Sequence, residues 1–400
     1  IISIGDEVYE MDEVGIRLKG NTSRVPVYAD KTGKLNLSHY RLSFNETFDD
    51  ETYYGEDAKV WNSDEERQER KDRIFATLKG MEIKWNKNYD NSYVREMYAY
   101  DMFRDMGVLA QRINLCSLGM NGENYGVVNI YEPVDQIFIE RNLPEEDWGG
   151  DLYKCGWTFK PANYVENQVS YGVEDPDAGQ FYNYDLKTNK SDSTFDILEK
   201  LLEVTNKADV TKEEFESVVD TEYFAKFLAT SYFLGNPDDI RNNYNNHYVY
   251  FLKSSGKAIF IPYDYDRCLG ITYGWNPDGT GMTLVSPYSE DSESNGYSQQ
   301  NPIISEAILG DNPFCIDGYN EVLKKIANSD WLKEENFEEY YNIAEENYES
   351  VVKPTIDFAN AVNSGFRFTL TGDYTSSDTS NMSFSEYCSR ILESYNDAIK

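Results

Sequence analysis

Histidine and cysteine are both scarce in this chain. It has 2 histidines and 5 cysteines among 400 residues. His39 and His247 alone cannot build a multi-histidine metal site, and no serine motif accompanies them to indicate a catalytic triad. The cysteines are widely scattered and match neither a zinc-ligand spacing nor a disulfide framework. We therefore expect free, buried thiols at these positions: Cys116, Cys155, Cys268, Cys315 and Cys388.

Lysine and arginine are also few relative to the acidic residues. Lys and Arg number 37 against 71 Asp and Glu, so the net charge is −34. Such a chain repels nucleic acid and anionic membranes, and neither is an expected partner. A bound polyphosphate would need metal ions or a locally basic pocket. No apolar run is long enough to span a bilayer and no signal peptide is recognisable. The chain opens at Ile1 rather than Met, which is typical of a fragment or a processed product.

Hydrophobic and aromatic residues, by contrast, are plentiful. They make up 40% and 15% of the chain, with 33 tyrosines, and this content of apolar residues argues against a disordered polypeptide. A chain of 400 residues suffices for one bilobal domain or for two closely packed domains. Surfaces rich in tyrosine suit glycans and peptides and so indicate extracellular work, although tyrosine also simply packs between strands.

The densest polar pattern lies in residues 235–270. An Asn- and Asp-rich loop follows a predicted helix, and an alternating run at 248–252 then predicts a strand. A Ser-Ser-Gly turn leads to a second strand at 258–261, and Asp264 and Asp266 follow its end. The polar residues of the first loop are Asn236, Asp238, Asp239, Asn242, Asn243, Asn245 and Asn246.

Pairing of these two strands would bring both polar clusters to the same end of one hairpin. Carboxylates and amides gathered there suit a hard cation with oxygen ligands. Asn and Asp also mark ordinary turns, but two clusters that converge across one hairpin favour a site. Asp238 and Asn243 are five residues apart, as are the base Asp and the metal-binding Asn of a protein-kinase catalytic loop.

The same stretch resembles the CotH kinase family. The family pattern runs Gly-Asn-x-Asp, then Asn-Tyr-Tyr-Leu-Tyr, then Pro-Trp-Asp-x-Asp with a nearby Gly. This chain matches it at 235–238, 246–250 and 262–266, with Gly270 as the nearby glycine. The polar positions are intact, and the departures are His247 for Tyr, Val249 for Leu and Tyr263 for Trp.

The resemblance continues in the N-terminal part of the chain, at a predicted turn between two strands. The family has Gly-Asn-Ser/Thr-Ser/Thr-Arg here, and backbone N–H groups of such a turn would cover nucleotide phosphates; an ordinary β-turn is the alternative. The matching residues are Gly20, Asn21, Thr22, Ser23 and Arg24. The family then expects paired basic residues, where this chain has Leu-Ser-His before Tyr40. Lys34, Arg41 or Lys19 would stand in for the nucleotide lysine.

Three further residues are candidate nucleotide contacts by this resemblance. Glu96 lies on a helix predicted at 92–106, where a kinase carries the Glu that fixes the nucleotide lysine; a surface salt bridge is the alternative. Glu132 follows a hairpin predicted over 113–131 with an Asn-Gly turn, and would lie at the junction between lobes. Lys154 ends Asp-Leu-Tyr-Lys, which resembles the Asn-Leu-Tyr-Lys of the family.

The pattern as a whole predicts an α+β fold, and the resemblance makes it a bilobal, atypical protein-kinase-like fold. We expect a β-rich N-lobe with one packed helix over residues 1–155. A mainly helical C-lobe over 156–400 would carry the hairpin of 235–270. Helices are predicted at 63–80, 92–106, 193–205, 211–219, 221–234, 303–309, 317–328, 334–351, 354–363 and 383–399.

The resemblance implies a secreted, cell-surface or spore-coat Ser/Thr protein kinase that transfers the γ-phosphate of ATP to protein hydroxyls. ATP would sit between the lobes with Mg²⁺ or Mn²⁺ on its phosphates, and Asp238 would accept the proton of the substrate hydroxyl. Asp264 would be the main metal ligand and Asp266 a second one. Either Asn243 or Asn246 would complete the metal shell.

Two other classes of function stay open from the sequence. One is a non-catalytic, pseudokinase module for binding or assembly in a coat, cell-surface or cellulosome-like complex. The missing basic pair before Tyr40 favours it. The other is a glycoside hydrolase that uses two carboxylates such as Asp238 and Asp264. It ranks lower, because these acids fall within the kinase-family pattern.

Overall fold

The chain forms two compact units. A computed structural model describes residues 1–12, 14–20, 24–29, 31–45, 69–88, 90–175, 178–272, 284–289, 301–357, 359–362 and 381–400. Unit 1 contains Ile1–Lys87, Arg112–Phe138 and Asn342–Phe368, and unit 2 contains Asn88–Gln111, Ile139–Tyr341 and Thr369–Lys400. The units are interleaved along the chain, and the division into lobes near residue 155 stays a prediction. Sheets and helices occur together, which confirms the α+β class.

Unit 1 is built on an antiparallel five-stranded sheet of order β3-β4-β5-β7-β6. Its strands are β3 (Gly15–Lys19), β4 (His39–Ser43), β5 (Gly80–Lys84), β6 (Ile113–Met120) and β7 (Glu123–Tyr131), and β1 (Ile2–Ile4) pairs with β2 (Glu7–Tyr9) in a separate ribbon. The predicted β6–β7 hairpin is confirmed. Asn121 and Gly122 have φ values of 53° and 79°, as a type I′ turn requires. Tyr40, Ile83 and Val128 form an apolar cluster on this sheet.

The helix predicted over 63–80 is wrong in its described part. Residues 63–68 lie outside the described residues, and only 69–71 are helical. Phe75 and Leu78 then pair in a bridge, and Gly80 begins β5. A Cβ on Gly80 would lie 2.3 Å from the backbone oxygen of Leu42. Glycine is therefore needed here for the close approach of two strands, and it does not end a helix.

Unit 2 carries the second five-stranded sheet, of order β12-β11-β8-β10-β9. Its strands are β8 (Leu152–Cys155), β9 (Tyr171–Gly172), β10 (Tyr184–Leu186), β11 (His247–Phe251) and β12 (Ala258–Pro262). Only β9 and β10 run parallel among the described strand pairs. The hairpin predicted within 235–270 is thus confirmed as β11–β12, which continues through β8 into a larger sheet.

Most predicted helices are confirmed. The α-helices are α1 (Arg95–Asp105), α2 (Gln136–Asn142), α3 (Asp196–Thr205), α4 (Lys212–Val218), α5 (Thr221–Leu234), α6 (Pro302–Ile304), α7 (Ile316–Ala327), α8 (Glu334–Asn347) and α9 (Phe384–Ala398). Helices α6 and α8 continue as π-helical turns at Ser305–Leu309 and Tyr348–Val352. The helix predicted at 354–363 is wrong in its described part, because a short 3₁₀ turn at Lys353–Thr355 is followed by irregular backbone at 356–357 and 359–362; residues 358 and 363 lie outside the described residues. Among the described helices, none is long and apolar enough to cross a bilayer.

Helix α5 is buried against both the sheet of unit 2 and α1. The rings of Phe224 and Phe227 lie 4.3 and 5.9 Å from the ring of Phe260 on β12, and Phe227 also stacks at 5.8 Å on Phe103 of α1. Each buried ring stabilises the fold by roughly 1.5–3 kcal/mol. Gly235, with a φ of 56°, ends α5 in a left-handed cap. The rigid helix therefore delivers the polar loop directly to one end of the β11–β12 hairpin.

All five cysteines are free thiols, as expected. Four of them are buried, and Cys116 is half-buried.

Candidate functional site

The polar loop between α5 and β11 is organised around one carboxylate, Asp238. Its Oδ1 accepts hydrogen bonds from the side-chain amides of Asn243 at 2.7 Å and Asn245 at 3.0 Å. Its Oδ2 accepts one from the amide of Asn246 at 3.0 Å. Three asparagines within eight residues thus donate to a single, half-buried carboxylate. The five-residue spacing of Asp238 and Asn243 corresponds to a direct contact.

A second carboxylate, Asp239, holds the loop from inside. It is fully buried, and its Oδ1 accepts from the backbone N–H groups of Arg241 and Asn242 at 2.9 Å each. The Asn242 amide also bonds to Asp239 at 3.1 Å and to the backbone oxygen of Asn236 at 2.9 Å. Burial raises the pKa of Asp239 to about 7, although Arg241 and these donors lower it. Asp239 therefore fixes the backbone of the loop, whereas Asp238 faces its amides.

The polar loop and the segment that follows β12 both contain strained backbone. Tyr244, Asn246 and Asp264 all have positive φ values, of 51°, 50° and 57°. Left-handed conformations at residues other than glycine cost about 1–3 kcal/mol each and persist where the surroundings over-determine them. They concentrate here on the segments that flank the β11–β12 hairpin, which indicates that a particular side-chain arrangement is being held.

The environment of Asp238 makes its carboxylate more basic than usual. Burial raises the pKa of Asp238, and the charge of Asp264 raises it further. The amides of Asn245 and Asn243 and the charge of Arg267 act in the opposite direction. A carboxylate whose pKa lies above its ordinary value, held in one orientation by three amides, is suited to act as a general base.

The structure brings the two polar clusters of the sequence together. The Asn236 amide donates to the backbone oxygen of Asp264 at 3.2 Å, and the Tyr263 N–H donates to the backbone oxygen of Asn246 at 3.1 Å. Asp264 and Asp266 are half-buried on the segment that follows β12. The expected convergence of the clusters at one end of the hairpin is therefore observed.

These side chains fit a cation that is shared with a phosphate ligand. Asn243 and Asn246 donate to Asp238 through Nδ2, which leaves their Oδ1 atoms as potential metal ligands. Together with Asp264 and Asp266 they make a set of oxygen donors of the kind that Mg²⁺ and Mn²⁺ prefer. In the described part of the chain, no three His, Cys, Asp or Glu side chains are grouped to hold a metal by themselves. A metal with one or two protein carboxylates needs phosphate oxygens or water to complete its shell.

The segment after Asp266 is clamped by α1. The Arg95 guanidinium donates to the backbone oxygen of Leu269 at 2.6 Å and lies 3.6 Å from the carboxylate of Asp90. The Cys268 thiol donates to the backbone oxygen of Arg95 at 3.6 Å. Glu96, the next residue of α1, is buried in unit 2. Burial raises the pKa of the Cys268 thiol, and the charge of Glu96 raises it further.

The segment that precedes α9 holds the same loop. Asn381 accepts a hydrogen bond from the Thr272 N–H at 2.6 Å and donates to the backbone oxygen of Asn88 at 3.3 Å. Gly270, with a φ of 89°, accepts through its backbone oxygen from the Met382 N–H at 2.9 Å. A Cβ on Gly270 would lie 3.1 Å from the Cβ of Met382. The glycine of the sequence motif is therefore a packing requirement.

A basic face lies on the sheet of unit 1, and the sequence pattern did not predict it. Strand register places Arg17 of β3 opposite Arg41 of β4, and Arg41 opposite Glu82 of β5. Lys19 lies two residues after Arg17 on β3, and Lys84 lies two residues after Glu82 on β5. Residues two apart on a strand, and their cross-strand partners, share one face of a sheet. Four cations and one carboxylate therefore share this surface, which we term the cationic face: Arg17, Lys19, Arg41, Glu82 and Lys84.

The members of the cationic face are tied to one another. Glu82 is buried, and its carboxylate is paired with Lys19 and with Arg41, the latter at 3.2 Å. Lys84 is also buried, with its Nζ 4.3 Å from the centre of the Tyr131 ring. In a chain with a net charge of −34, a surface with four cations and one carboxylate is locally basic.

Comparison with known proteins identifies the family of this chain. A model of the family described as "CotH kinase protein" matches residues 17–378, which is most of the chain. The chain belongs to the CotH kinase family. It is therefore a kinase-like protein, and the resemblance noted from its motifs is confirmed.

Two curated relatives of the CotH family match about half of the chain. Inner spore coat protein H of Bacillus subtilis (strain 168) is 26% identical over 215 residues, covering 52% of this chain and 53% of the relative. Invasin CotH2 of Rhizopus delemar is 25% identical over 207 residues, covering 49% of this chain and 34% of the relative. The chain thus aligns with no more than about half the length of these relatives.

A solved structure also matches. It is described as the crystal structure of a Helicobacter pylori proinflammatory kinase, CtkA. The match covers 68% of this chain and 88% of that one, at 13% identity. Its TM-score is 0.27, which is too low to establish a shared fold.

The remaining CotH-like positions are placed as follows. Gly20 directly follows β3 and has a φ of 90°, and Arg24 is exposed; Asn21, Thr22 and Ser23 lie outside the described residues. Glu132 accepts from the backbone N–H of Arg112 at 3.2 Å. Their proposed nucleotide contacts stay predictions, as do those of Arg41, Glu96 and Lys154.

Lys154 lies on β8 of unit 2, in register with Tyr248 of β11. Its Nζ is 4.4 Å from the centre of the Tyr263 ring, and Tyr263 directly precedes Asp264. A cation over the face of an aromatic ring is attracted by the ring, so this contact helps to hold the Lys154 ammonium beside the segment that follows β12.

Three residues were predicted to replace the nucleotide lysine. One of them, Lys34, is exposed beside a turn, and its backbone oxygen accepts a hydrogen bond from the Ala29 N–H at 2.9 Å. Lys19 and Arg41 belong to the cationic face. Lys84 was missed because the helix predicted over 63–80 was taken to end at Gly80 and no strand was predicted after it. The alternation of Glu82, Ile83 and Lys84 was the signal for a strand with one charged face.

Proposed function

We propose that this chain is an atypical Ser/Thr protein kinase that transfers the γ-phosphoryl group of ATP to a protein hydroxyl. The observation that carries the proposal is the half-buried carboxylate of Asp238, which accepts hydrogen bonds from three asparagine side-chain amides. Phosphoryl transfer requires little covalent chemistry from the protein, so orientation and charge neutralisation supply most of the rate. The site offers both.

Asp238 orients the acceptor hydroxyl and takes its proton. The amides of Asn243, Asn245 and Asn246 fix the plane of the carboxylate, and each carboxylate oxygen has lone pairs beyond those bonds. Its raised pKa brings it closer to the operating pH, where a general base is most effective.

The oxygen donors beside Asp238 would hold the divalent ion, Mg²⁺ or Mn²⁺. Asp264 is the main candidate ligand and Asp266 the second, with Oδ1 of Asn243 or Asn246 beside them. The ion would neutralise phosphate charge, which matters more than usual in a protein with a net charge of −34.

The chain offers two candidate lysines for the phosphates of ATP. Lys84 of the cationic face is the first, and Lys154 on β8 is the second. Gly20 and Arg24 stay candidate phosphate contacts by their place in the family motif. Lys84 is the strongest candidate for the nucleotide lysine, because it is buried and yet faces the same side of the sheet as Lys19 and Arg41.

Incubation with γ-labelled ATP and Mg²⁺ or Mn²⁺ tests the proposal, with a histone mixture as a generic acceptor. The positive charge of histones favours encounter with this acidic chain. We expect label on the acceptor or on the chain itself with the wild type. Asp264→Ala should transfer none. Equal labelling by both proteins would contradict the assignment of the metal ligand.

A non-catalytic role in assembly is the second candidate. It is favoured by the absence of the paired basic residues before Tyr40, where Ser38 and His39 are both buried. The relatives are named as a spore coat protein and an invasin, so a coat or surface location is proposed for this chain as well. A wild type that neither transfers label nor gains thermal stability with ATP and metal would favour this role.

A further inference from the structure

The loop of residues 156–164 packs directly on the loop that carries Asp238. The backbone N–H of Trp157 donates to Oδ1 of Asn245 at 3.0 Å, and its indole Nε1–H donates to the backbone oxygen of Asn243 at 2.8 Å. Farther along, the Ala162 N–H donates to the backbone oxygen of Tyr244 at 3.0 Å. One short loop therefore reaches three successive residues of the other.

The contact with Asn245 settles which way that amide faces. A backbone N–H can only donate, so the atom of Asn245 that meets Trp157 must be the carbonyl oxygen. The NH₂ group then faces Asp238, 3.0 Å away. Asn245 is thus a bridge whose outer end is held by Trp157 and whose inner end holds Asp238.

The contact with Asn243 acts on its backbone and not on its amide. The indole N–H of Trp157 donates to the backbone oxygen of Asn243 and so anchors the residue from which that amide projects. The Asn243 amide, at 2.7 Å, makes the shortest of the three bonds to Asp238. Both N–H groups of Trp157 are therefore used on the residues that donate to Oδ1 of Asp238.

We propose that Trp157 is a positioning residue for Asp238, acting through Asn243 and Asn245. This inference rests on the proposed transfer reaction, in which Asp238 orients the acceptor hydroxyl. Trp157 is half-buried, and its hydrogen bonds reach Asn243 and Asn245, the residues that hold Asp238. Its loss should therefore slow the chemical step and leave ATP binding as it was.

The chain contains a matched control for the substitution. Trp148 is also half-buried in unit 2, and its Nε1–H also donates to a backbone oxygen at 2.8 Å, that of Leu143. Trp157→Phe and Trp148→Phe each remove one indole donor and keep an aromatic ring. The two variants should lose similar thermal stability, so any difference between them in catalysis reports the position and not the fold.

Steady-state transfer of γ-labelled phosphate to the histone mixture is the first measurement. We expect Trp157→Phe to lower kcat at least tenfold with the KM for ATP within twofold of wild type. Trp148→Phe should retain wild-type kcat. Equal kcat values for the two variants would overturn the inference.

Proton exchange of ¹⁵N-labelled asparagine side-chain amides is the second measurement, and it does not require activity. We expect the amide protons of Asn243 to exchange at least fivefold faster in Trp157→Phe than in Trp148→Phe, because only the indole bond to Asn243 is lost. The Asn245 amide keeps its backbone partner at residue 157 and should exchange as in the wild type. Unchanged exchange at Asn243 would overturn the positioning role even if kcat fell. If the wild type transfers no label, the proposed function fails, and the exchange rates alone decide whether Trp157 orders the Asn243 amide.

Discussion

Lys84 becomes a candidate nucleotide contact only when its position at the end of β5 is known. Its side chain is buried, lies over the Tyr131 ring and shares a sheet face with Lys19 and Arg41. An ammonium group held without full hydration in an acidic protein is expected to bind phosphate strongly.

Lys84→Met should therefore weaken ATP binding roughly tenfold, about 1.4 kcal/mol. Methionine fills much of the space of the lysine stem, which limits damage to the fold. Lys34→Met is the control, because Lys34 is exposed beside a turn. Titration calorimetry with ATP and Mn²⁺ measures both. Equal affinity of the two variants would remove Lys84 from the nucleotide site.

His247 supports the loop of Asp238 from the sheet. Its Nδ1 lies 3.1 Å from the backbone oxygen of Asn245, which can only accept, so Nδ1 carries the proton. Its Nε2, 2.8 Å from the Tyr164 hydroxyl, then accepts. Burial lowers the pKa of His247 from 6.5 to about 4, against the opposing effect of the Asn245 bond.

This lowered pKa predicts a loss of stability in weak acid. Between pH 6.5 and 4, His247 binds a proton in the unfolded chain but stays neutral in the folded chain. The free energy of unfolding therefore falls as pH falls. From pH 7.5 to 5 the loss should be about 2 kcal/mol. His247→Gln should lack this component in urea unfolding at the two pH values. An identical pH dependence for both proteins would contradict the buried, neutral imidazole.

At the level of elements, the sequence predicted best where periodicity is strong and local. The helix α5, the β6–β7 hairpin and the β11–β12 hairpin were predicted with bounds close to those observed. The Asp238 cluster was predicted for the same reason, since its donors lie within eight residues of it. The cationic face was missed because it depends on the register of three strands that are distant in sequence. Pairing partners at that range are not encoded in any short window.

Gly80 gives a test of strand packing in unit 1. A Cβ there would lie 2.3 Å from the backbone oxygen of Leu42, so β4 and β5 would have to separate. Gly80→Ala should lower the free energy of unfolding by about 2–3 kcal/mol.

Gly119 is a matched control on β6, where the nearest atom to an added Cβ is the backbone oxygen of Glu123 at 3.8 Å. Gly119→Ala should be neutral or stabilising by roughly 0.5–1 kcal/mol. Urea unfolding of both variants measures the difference. Equal stabilities would show that β4 and β5 do not approach as closely as observed.

On the scale of the whole molecule, charge is the dominant feature. A net charge of −34 at neutral pH destabilises the compact state through self-repulsion. Salt screens this repulsion over about 10 Å at 0.1 M.

Raising NaCl from about 0.02 M to about 0.3 M should therefore raise Tm by a few degrees. Differential scanning fluorimetry without ATP or divalent metal measures it, with KCl as the check against a specific sodium effect. A Tm that stays constant or falls with salt would mean that local ion pairs outweigh the net charge.

The central claim is that Asp238 acts as the general base of phosphoryl transfer. The substitution Asp238→Asn tests it most directly. The measurement is the rate of ³²P transfer from γ-labelled ATP, beside calorimetric affinity for ATP with Mn²⁺. Removal of a general base costs about 10²- to 10⁴-fold in rate. The account predicts that loss with unchanged ATP affinity, because Asn keeps the shape of the side chain. A transfer rate within a fewfold of wild type would contradict it.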